Sequence, residues 1–218
     1  MRALVLLLPA LLLPVLAAAQ PRAVPTDKRT EQIGSWVLSC QSDPMTDRGA
    51  CSMRHRLWIE VPKPGEPGIA LEVINRFGQL VPAVTVRDLT LEAAPRGFMA
   101  LTATVQLRFD RNPLIELPCG LDGFAVVCAP KEADARTAAA QLAAARTVLA
   151  RVRGTGPLPA QGPTDPVALD LDRTSEALAR FRPQAPESPP PATPLGQDWR
   201  EMLERLMQLG GSGATPPR

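Results

Sequence analysis

Residues 99 to 109 alternate between apolar and polar side chains more cleanly than any other part of the chain. Met99, Leu101, Ala103, Val105, Leu107 and Phe109 fall on one side; Thr102, Thr104, Gln106 and Arg108 fall on the other. A period of two belongs to a strand with one dry face and one wet face, and it excludes a helix here. Asp110-Arg111-Asn112-Pro113 then breaks the run as a turn. Two more apolar runs follow, Leu114 to Leu117 and Phe124 to Val127, with Cys119 and Cys128 placed around Gly120-Leu121-Asp122-Gly123. This is the signature of a meander of strands, and it predicts a scaffold rather than a reaction centre.

The chain begins with Arg2, an apolar run from Ala3 to Leu16, and Ala17-Ala18-Ala19 before Gln20. A positive end, a short apolar core and small residues at its close describe a signal peptide over residues 1–19. No later stretch is long and apolar enough to span a bilayer, so no transmembrane segment is expected in the mature chain. Net charge is +2 and no basic run is interleaved with aromatics, which argues against a nucleic-acid partner. All four cysteines lie beyond the leader. An even number in an exported chain favours disulfides over metal ligation, and no pair has the spacing of a zinc site. Four cysteines allow three pairings. Cys40 with Cys51 and Cys119 with Cys128 are preferred, because each pair brackets a short segment rich in turn residues.

Residues 20–32 read as a flexible leader. Trp36, Leu38 and Cys40 begin the first strand. In the next, Met53, His55, Leu57, Ile59 and Val61 share one face, with Arg54, Arg56, Trp58 and Glu60 opposite. Short strands are expected at Ile69–Ile74 and Val84–Leu91, with Pro82 at a bulge or an edge because it has no amide hydrogen for a ladder. From Lys131 to Val152 the period changes. Ala138, Leu142, Ala145, Leu149 and Val152 recur at three and four, predicting a helix over 131–152 laid across an open face of the sheet. Val167 to Leu171 is a further strand, and Asp172 or Thr174 is placed to cap a brief helix carrying Ala177, Leu178 and Phe181. The β-rich domain is therefore set at 33–182.

Beyond it, residues 183–196 hold Pro183, Pro186, Pro189, Pro190, Pro191 and Pro194, a polyproline-like spacer. Residues 197–210 form an expected amphipathic helix with Trp199, Met202, Leu203 and Leu206 on one side, and 211–218 a disordered tail. That helix offers a contact for another envelope protein, with docking in cis or at a membrane surface as alternatives. No nucleophile elbow, phosphate loop, zinc motif or dinucleotide fingerprint occurs. No catalytic residue, metal ligand or cofactor is assigned. His55 reads as a packed residue with a backbone partner, and Asp170 with Asp172 are too few to specify calcium. Trp58 flanked by Arg54 and Arg56 is the candidate protein contact, since a tryptophan among arginines combines apolar area with hydrogen-bond donors; covering by the 131–152 helix is the equal alternative.

The landmarks Trp36-Val37-Leu38-Ser39-Cys40, Cys51, Val81-Pro82, Leu117-Pro118-Cys119 and Val127-Cys128-Ala129 before an alanine-rich helix resemble the invasion-associated locus B family of exported bacterial proteins. Val167–Leu171 and Ala177-Leu178 resemble its closing strand and helix, so the likeness spans about residues 33 to 182. It implies a small disulfide-bonded periplasmic or outer-surface protein with no catalytic residues to carry across.

The expected fold is mainly β: a disulfide-bonded antiparallel β-sandwich or partly closed barrel with one long packed helix. The expected function is that of a non-catalytic envelope adaptor or protein-binding module. The alternatives are a small-ligand-binding protein with its site between sheet and helix, and, third, an enzyme of unknown class.

Overall fold

The alternating run becomes a strand, and it sits inside one antiparallel sheet. The computed structural model describes residues 28–87, 103–123, 125–154 and 165–188. Its strands are β1 (Lys28–Ile33), β2 (Trp36–Asp43), β3 (Arg48–Glu60), β4 (Ile69–Arg76), β5 (Gln79–Val86), β6 (Ala103–Phe109), β7 (Ile115–Asp122), β8 (Ala125–Cys128), β9 (Thr147–Gly154) and β10 (Val167–Asp170). The helices are α1 (Glu132–Ala144) and α2 (Thr174–Phe181), the latter followed by a tight 3-10 turn at Arg182–Gln184. The ten strands run in the order β1-β2-β3-β4-β5-β8-β7-β6-β9-β10, every neighbour antiparallel, and the sheet does not close on itself. It is a mainly β fold, as the alternation and turn signals predict. No helix among the described residues is long and apolar enough to cross a membrane.

The sheet curls because β7 serves two partners. Its first half, Ile115 to Pro118, pairs with β6; its second, Cys119 to Asp122, pairs with β8. A strand that changes partners at a corner brings two inner faces together over one core. Trp36, Met53, Leu71, Leu107, Phe109, Leu117, Val148, Leu169 and Phe181 are all buried in that core. Each such side chain contributes roughly 1.5–3 kcal/mol by leaving water. Both disulfides join directly opposed residues, Cys40 with Cys51 and Cys119 with Cys128, whose Cα atoms lie 4.0 and 3.9 Å apart. The pairings are those preferred from the spacing. Gln184 Oε1 rests 3.3 Å from Cys51 Sγ. A half-cystine sulfur has no hydrogen to donate, so this is a packing contact.

The inner face is closed by a set of polar contacts that joins the start of the domain to its end. Trp36 Nε1 donates to Thr174 Oγ1 at 2.9 Å, and Thr174 Oγ1 donates to the Leu171 carbonyl at 3.0 Å. His55 meets the Trp36 ring edge-on at 5.5 Å. Its Nε2 is 2.8 Å from the Asp170 carbonyl, which can only accept, so the proton sits on Nε2. Nδ1 then accepts from the Leu57 amide at 3.1 Å. Ser35 N donates to the Asp172 carbonyl, and Asp172 N donates back to Ser35 Oγ, both at 3.1 Å. Gly34, with φ +56°, completes this junction. A Cβ there would stand 2.4 Å from the Asp172 carbonyl oxygen, so only glycine fits both the turn and the close approach.

Helix α1 lies over the outer face of β5 and β8. Ala135 packs with Ile74, Val81, Ala83, Val127 and Ala129, while Ala138 and Leu142 reach the main core. Pro82 lies in β5 past the end of the β8 ladder, which stops at the Val84–Cys128 pair, so its missing amide hydrogen leaves no bond unmade on that side.

Several expectations are corrected. The helix expected over 131–152 ends at Ala144, and Thr147–Gly154 is strand β9. The cause is non-local. Asp110 accepts hydrogen bonds from Thr147 N at 3.0 Å, Thr147 Oγ1 at 2.9 Å and Arg146 N at 3.2 Å, while β6 offers β9 a full ladder. These donors hold the Asp110 carboxyl below the usual carboxylate range, the Thr147 amide foremost. Residues 28–32, assigned to a leader, form all but the last residue of β1, held by backbone pairing to β2 with its side chains mostly in water, so no apolar pattern marked it. Leu57 and Val61 do not share the core face: they are 50% and 65% exposed, because the pairing of β3 with β4 shifts register on both sides of Trp58. Neither Asp172 nor Thr174 caps α2; Arg173 takes that place in a left-handed conformation. The start of the expected spacer is docked, since Glu187 bridges Asn75 in parallel and Ser188 N donates to the Asn75 carbonyl. The expected signal peptide at 1–19, residues 88–91 of the strand expected at Val84–Leu91, residues 99–102 of the alternating run, the helix at 197–210 and the tail at 211–218 lie outside the described residues.

Candidate functional site

The outer face of β2 to β5 carries the site. Cross-strand register places Trp58 opposite Ala70, and Ala70 opposite Thr85, so one row crosses β3, β4 and β5. The small side chain at Ala70 leaves a dip between a tryptophan and a threonine. The loop after β3 forms the rim, with a two-way backbone bridge between Lys63 and Glu66. Gly68 brings that loop down onto the ring: a Cβ there would lie 2.7 Å from Pro62 Cδ and 2.8 Å from Trp58 Cε3. The result is a groove of about 970 Å³, extending toward Gln41, Cys51, Pro186 and Ser188 at its far end.

Arg54 lies four residues before Trp58 on the same face, its Cζ 4.2 Å from the centre of the ring. Such a cation–π contact is worth roughly 0.5–2 kcal/mol, and it fixes the guanidinium across the groove wall. Arg54 Nη1 is nonetheless buried without a hydrogen-bond partner among the described residues, and so is Thr85 Oγ1, on a residue only 1% exposed. Buried polar atoms are nearly always paired, so two orphans facing one groove ask for a ligand or for water. Glu72, by contrast, is fully engaged: Arg87 Nε reaches both its carboxylate oxygens at 2.9 Å. A bidentate pair of this kind satisfies a buried carboxylate more than it adds net stability.

The ionisable residues of the groove balance. Lys28, Arg54, Lys63 and Arg87 stand against Asp43, Glu66, Glu72 and Asp122. Asp122 is the charge that acts on Arg76, whose burial lowers its pKa and which Asp122 raises in opposition. Asp43 is held below the usual carboxylate range by the Met45 amide first and the Thr46 hydroxyl second, within the β2–β3 turn. The groove therefore suits a neutral ligand that brings hydrogen-bond acceptors and some apolar bulk.

Of the residues singled out from sequence, Arg54 and Trp58 come together here. Arg56 does not: it is exposed, it does not line the groove, and its amide donates to the Ser35 carbonyl. The irregular pairing around Trp58 separates it from its expected companions. Trp199, Met202, Leu203 and Leu206 lie outside the described residues. Glu72, Thr85 and Arg87 were missed. One signal existed, because Glu72 interrupts the apolar run Ile69 to Ile74 and a charge there requires a partner. Among the described residues no group of three or more histidine, cysteine or acidic side chains is placed to hold a metal ion. The space between α1 and the sheet, expected for a small ligand, is the site of the alanine and valine packing described above. No protein-family model, curated protein or solved structure matches this chain.

Proposed function

We propose that this chain is a non-catalytic envelope protein of the invasion-associated locus B type, exported to the periplasm or surface, that works as an adaptor or protein-binding module. The groove on β2 to β5 is its contact surface. The observation that carries this reading is the Arg54–Trp58 stack beside the buried hydroxyl of Thr85, with Arg54 Nη1 and Thr85 Oγ1 both unpaired among the described residues. An anchored aromatic with unmet hydrogen-bonding capacity is the composition of a binding hot spot. Two disulfides support an oxidising compartment, and the apolar leader at residues 1–19 supports export. The C-terminal stretch with Trp199, Met202, Leu203 and Leu206 supplies a second contact in the same reading.

The same groove favours a second reading, a small neutral ligand, because its volume lies in the range of small-molecule sites. The test compares envelope pull-downs with the full chain and with Trp58→Ala plus Arg54→Gln. Partner recovery should fall at least tenfold in the variant. Equal recovery overturns the groove as the contact surface. Partner loss reversed by no protein but reproduced by a dialysable small molecule would favour the second reading.

A further inference from the structure

The groove states the chemistry of its occupant. Thr85 is 1% exposed, lines the groove, and its Oγ1 has no hydrogen-bond partner among the described residues. Arg54 Nη1 is in the same condition and can only donate. The two stand on opposite sides of the dip at Ala70. The Arg54 guanidinium lies over the Trp58 ring on β3, Thr85 is on β5, and Ala70 on β4 comes between them. Two strand spacings separate the sides, about 9.6 Å. A secondary amide that accepts at its oxygen and donates at its nitrogen, with one hydrogen bond at each end, spans about 8 Å. It is uncharged, as the cancelling charges of the groove require. A methyl group at its end has Ala70 and the Trp58 ring to lie against. One acetamido group therefore meets both unpaired atoms and fills the dip.

The rest of the groove decides what carries that group. Ser39, Ala70 and Thr85 are each paired with a strand on both sides, so a peptide laid across them finds no free backbone for its following amides. The wall offers side chains instead. Ser39 and Ser52 are directly opposed across β2 and β3, with Gln41 beyond them and Ser188 at the far end. The contacts that Ser39 Oγ and Ser52 Oγ make are long, 3.4 Å each, and easily exchanged. Hydroxyls and a carboxamide both donate and accept. They match a scaffold dense in hydroxyls and sparing in amides.

We propose that the groove binds an uncharged oligosaccharide of N-acetylated hexosamine, with one acetamido group in the Ala70 dip between Arg54 and Thr85. This rests on the second reading above, the groove as a small-ligand site.

The test titrates the full chain with three uncharged probes and follows the Trp58 indole N–H and the Thr85 methyl by NMR. The probes are chitotetraose, a tetramer of N-acetylglucosamine; cellotetraose, which has a hydroxyl in place of each acetamido group; and the peptide N-acetyl-trialanine amide. Chitotetraose should shift both signals saturably, and cellotetraose should bind at least tenfold more weakly. Read at the Trp58 signal, Thr85→Val and Arg54→Gln should each weaken chitotetraose at least fivefold, and Thr85→Ser should keep wild-type affinity. Thr85→Val should unfold no earlier than wild type, which separates lost binding from lost structure. Equal affinity for the two sugars overturns the acetamido assignment. Peptide binding as tight as that of chitotetraose overturns the sugar and makes the occupant a peptide amide. Unmoved signals with all three probes at millimolar concentration overturn the proposal. In that event Trp58-dependent recovery in the pull-down leaves the groove as a protein contact, and Trp58-independent recovery removes it as a site altogether.

Discussion

Arg54 and His55 are neighbours in β3 that face opposite sides of the sheet, and they have opposite fates. His55 is fully buried with both ring nitrogens engaged by backbone. Around it Trp36, Thr174, Ser35 and Asp172 complete their hydrogen bonds among themselves. Arg54 is half-buried, stacked on Trp58, and keeps a nitrogen with no hydrogen-bond partner among the described residues. The inner junction is polar chemistry spent wholly on holding the fold. The outer groove is polar chemistry left open. The contrast separates structure from site without reference to any relative, because a folded chain leaves few buried donors unmet.

The comparison can be broken by mutation, and the largest effect is expected at Trp36. Trp36→Ala should cost about 3–5 kcal/mol in guanidinium denaturation, whereas Trp58→Ala should cost about 1–2 kcal/mol. Similar losses at the two tryptophans would erase the distinction. Removing either disulfide by paired Cys→Ala substitution should cost about 2–4 kcal/mol. The two losses should be close, since the sequence separations are 11 and 9. A third pair of variants sharpens the contrast at single hydroxyls. Thr174→Val strands the Trp36 indole N–H and should destabilise by about 1–3 kcal/mol; Thr85→Val removes a hydroxyl with no partner among the described residues and should be neutral or stabilising by up to about 1 kcal/mol. A destabilised Thr85→Val chain would mean that Oγ1 has a partner after all.

The smallest effect concerns pH. Asp110 has its folded pKa depressed, first by the Thr147 amide and then by the Arg146 amide. A depressed acid contributes stability above its unfolded value, near about 4, and loses it as pH falls through the folded value. The stability gap between wild type and Asp110→Asn should therefore shrink on acidification. A gap that widens would show that the carboxylate does not hold the start of β9.

Much of this architecture is readable in the chain, and the failures have a common cause. Alternation located β6, β7 and β8, and turn chemistry located the disulfide pairs. Residues 145–152 misled because their apolar positions satisfy two periods at once. Ala145, Leu149 and Val152 fit a helix, while Val148, Ala150 and Val152 fit a strand. Asp110 and the open edge of β6 decide between them, and both are remote in sequence. β1 was invisible because its side chains face water and only its backbone is used. In the groove, Arg54 and Trp58 were legible because they share one strand face. Thr85, Glu72 and Arg87 arrive from β4 and the end of β5, and only register places them alongside.

The tie between Trp36 and Thr174 spans 138 positions, and that between Ser35 and Asp172 spans 137. A chain that emerges amino-terminus first cannot form either until nearly the whole domain is out. Such distant closure is slow to reach, because the intervening loop must be gathered before any reward is gained. The early hairpins, β2 with β3 among them, need only local pairing, so the inner junction is the part of the domain that must wait for the last strand.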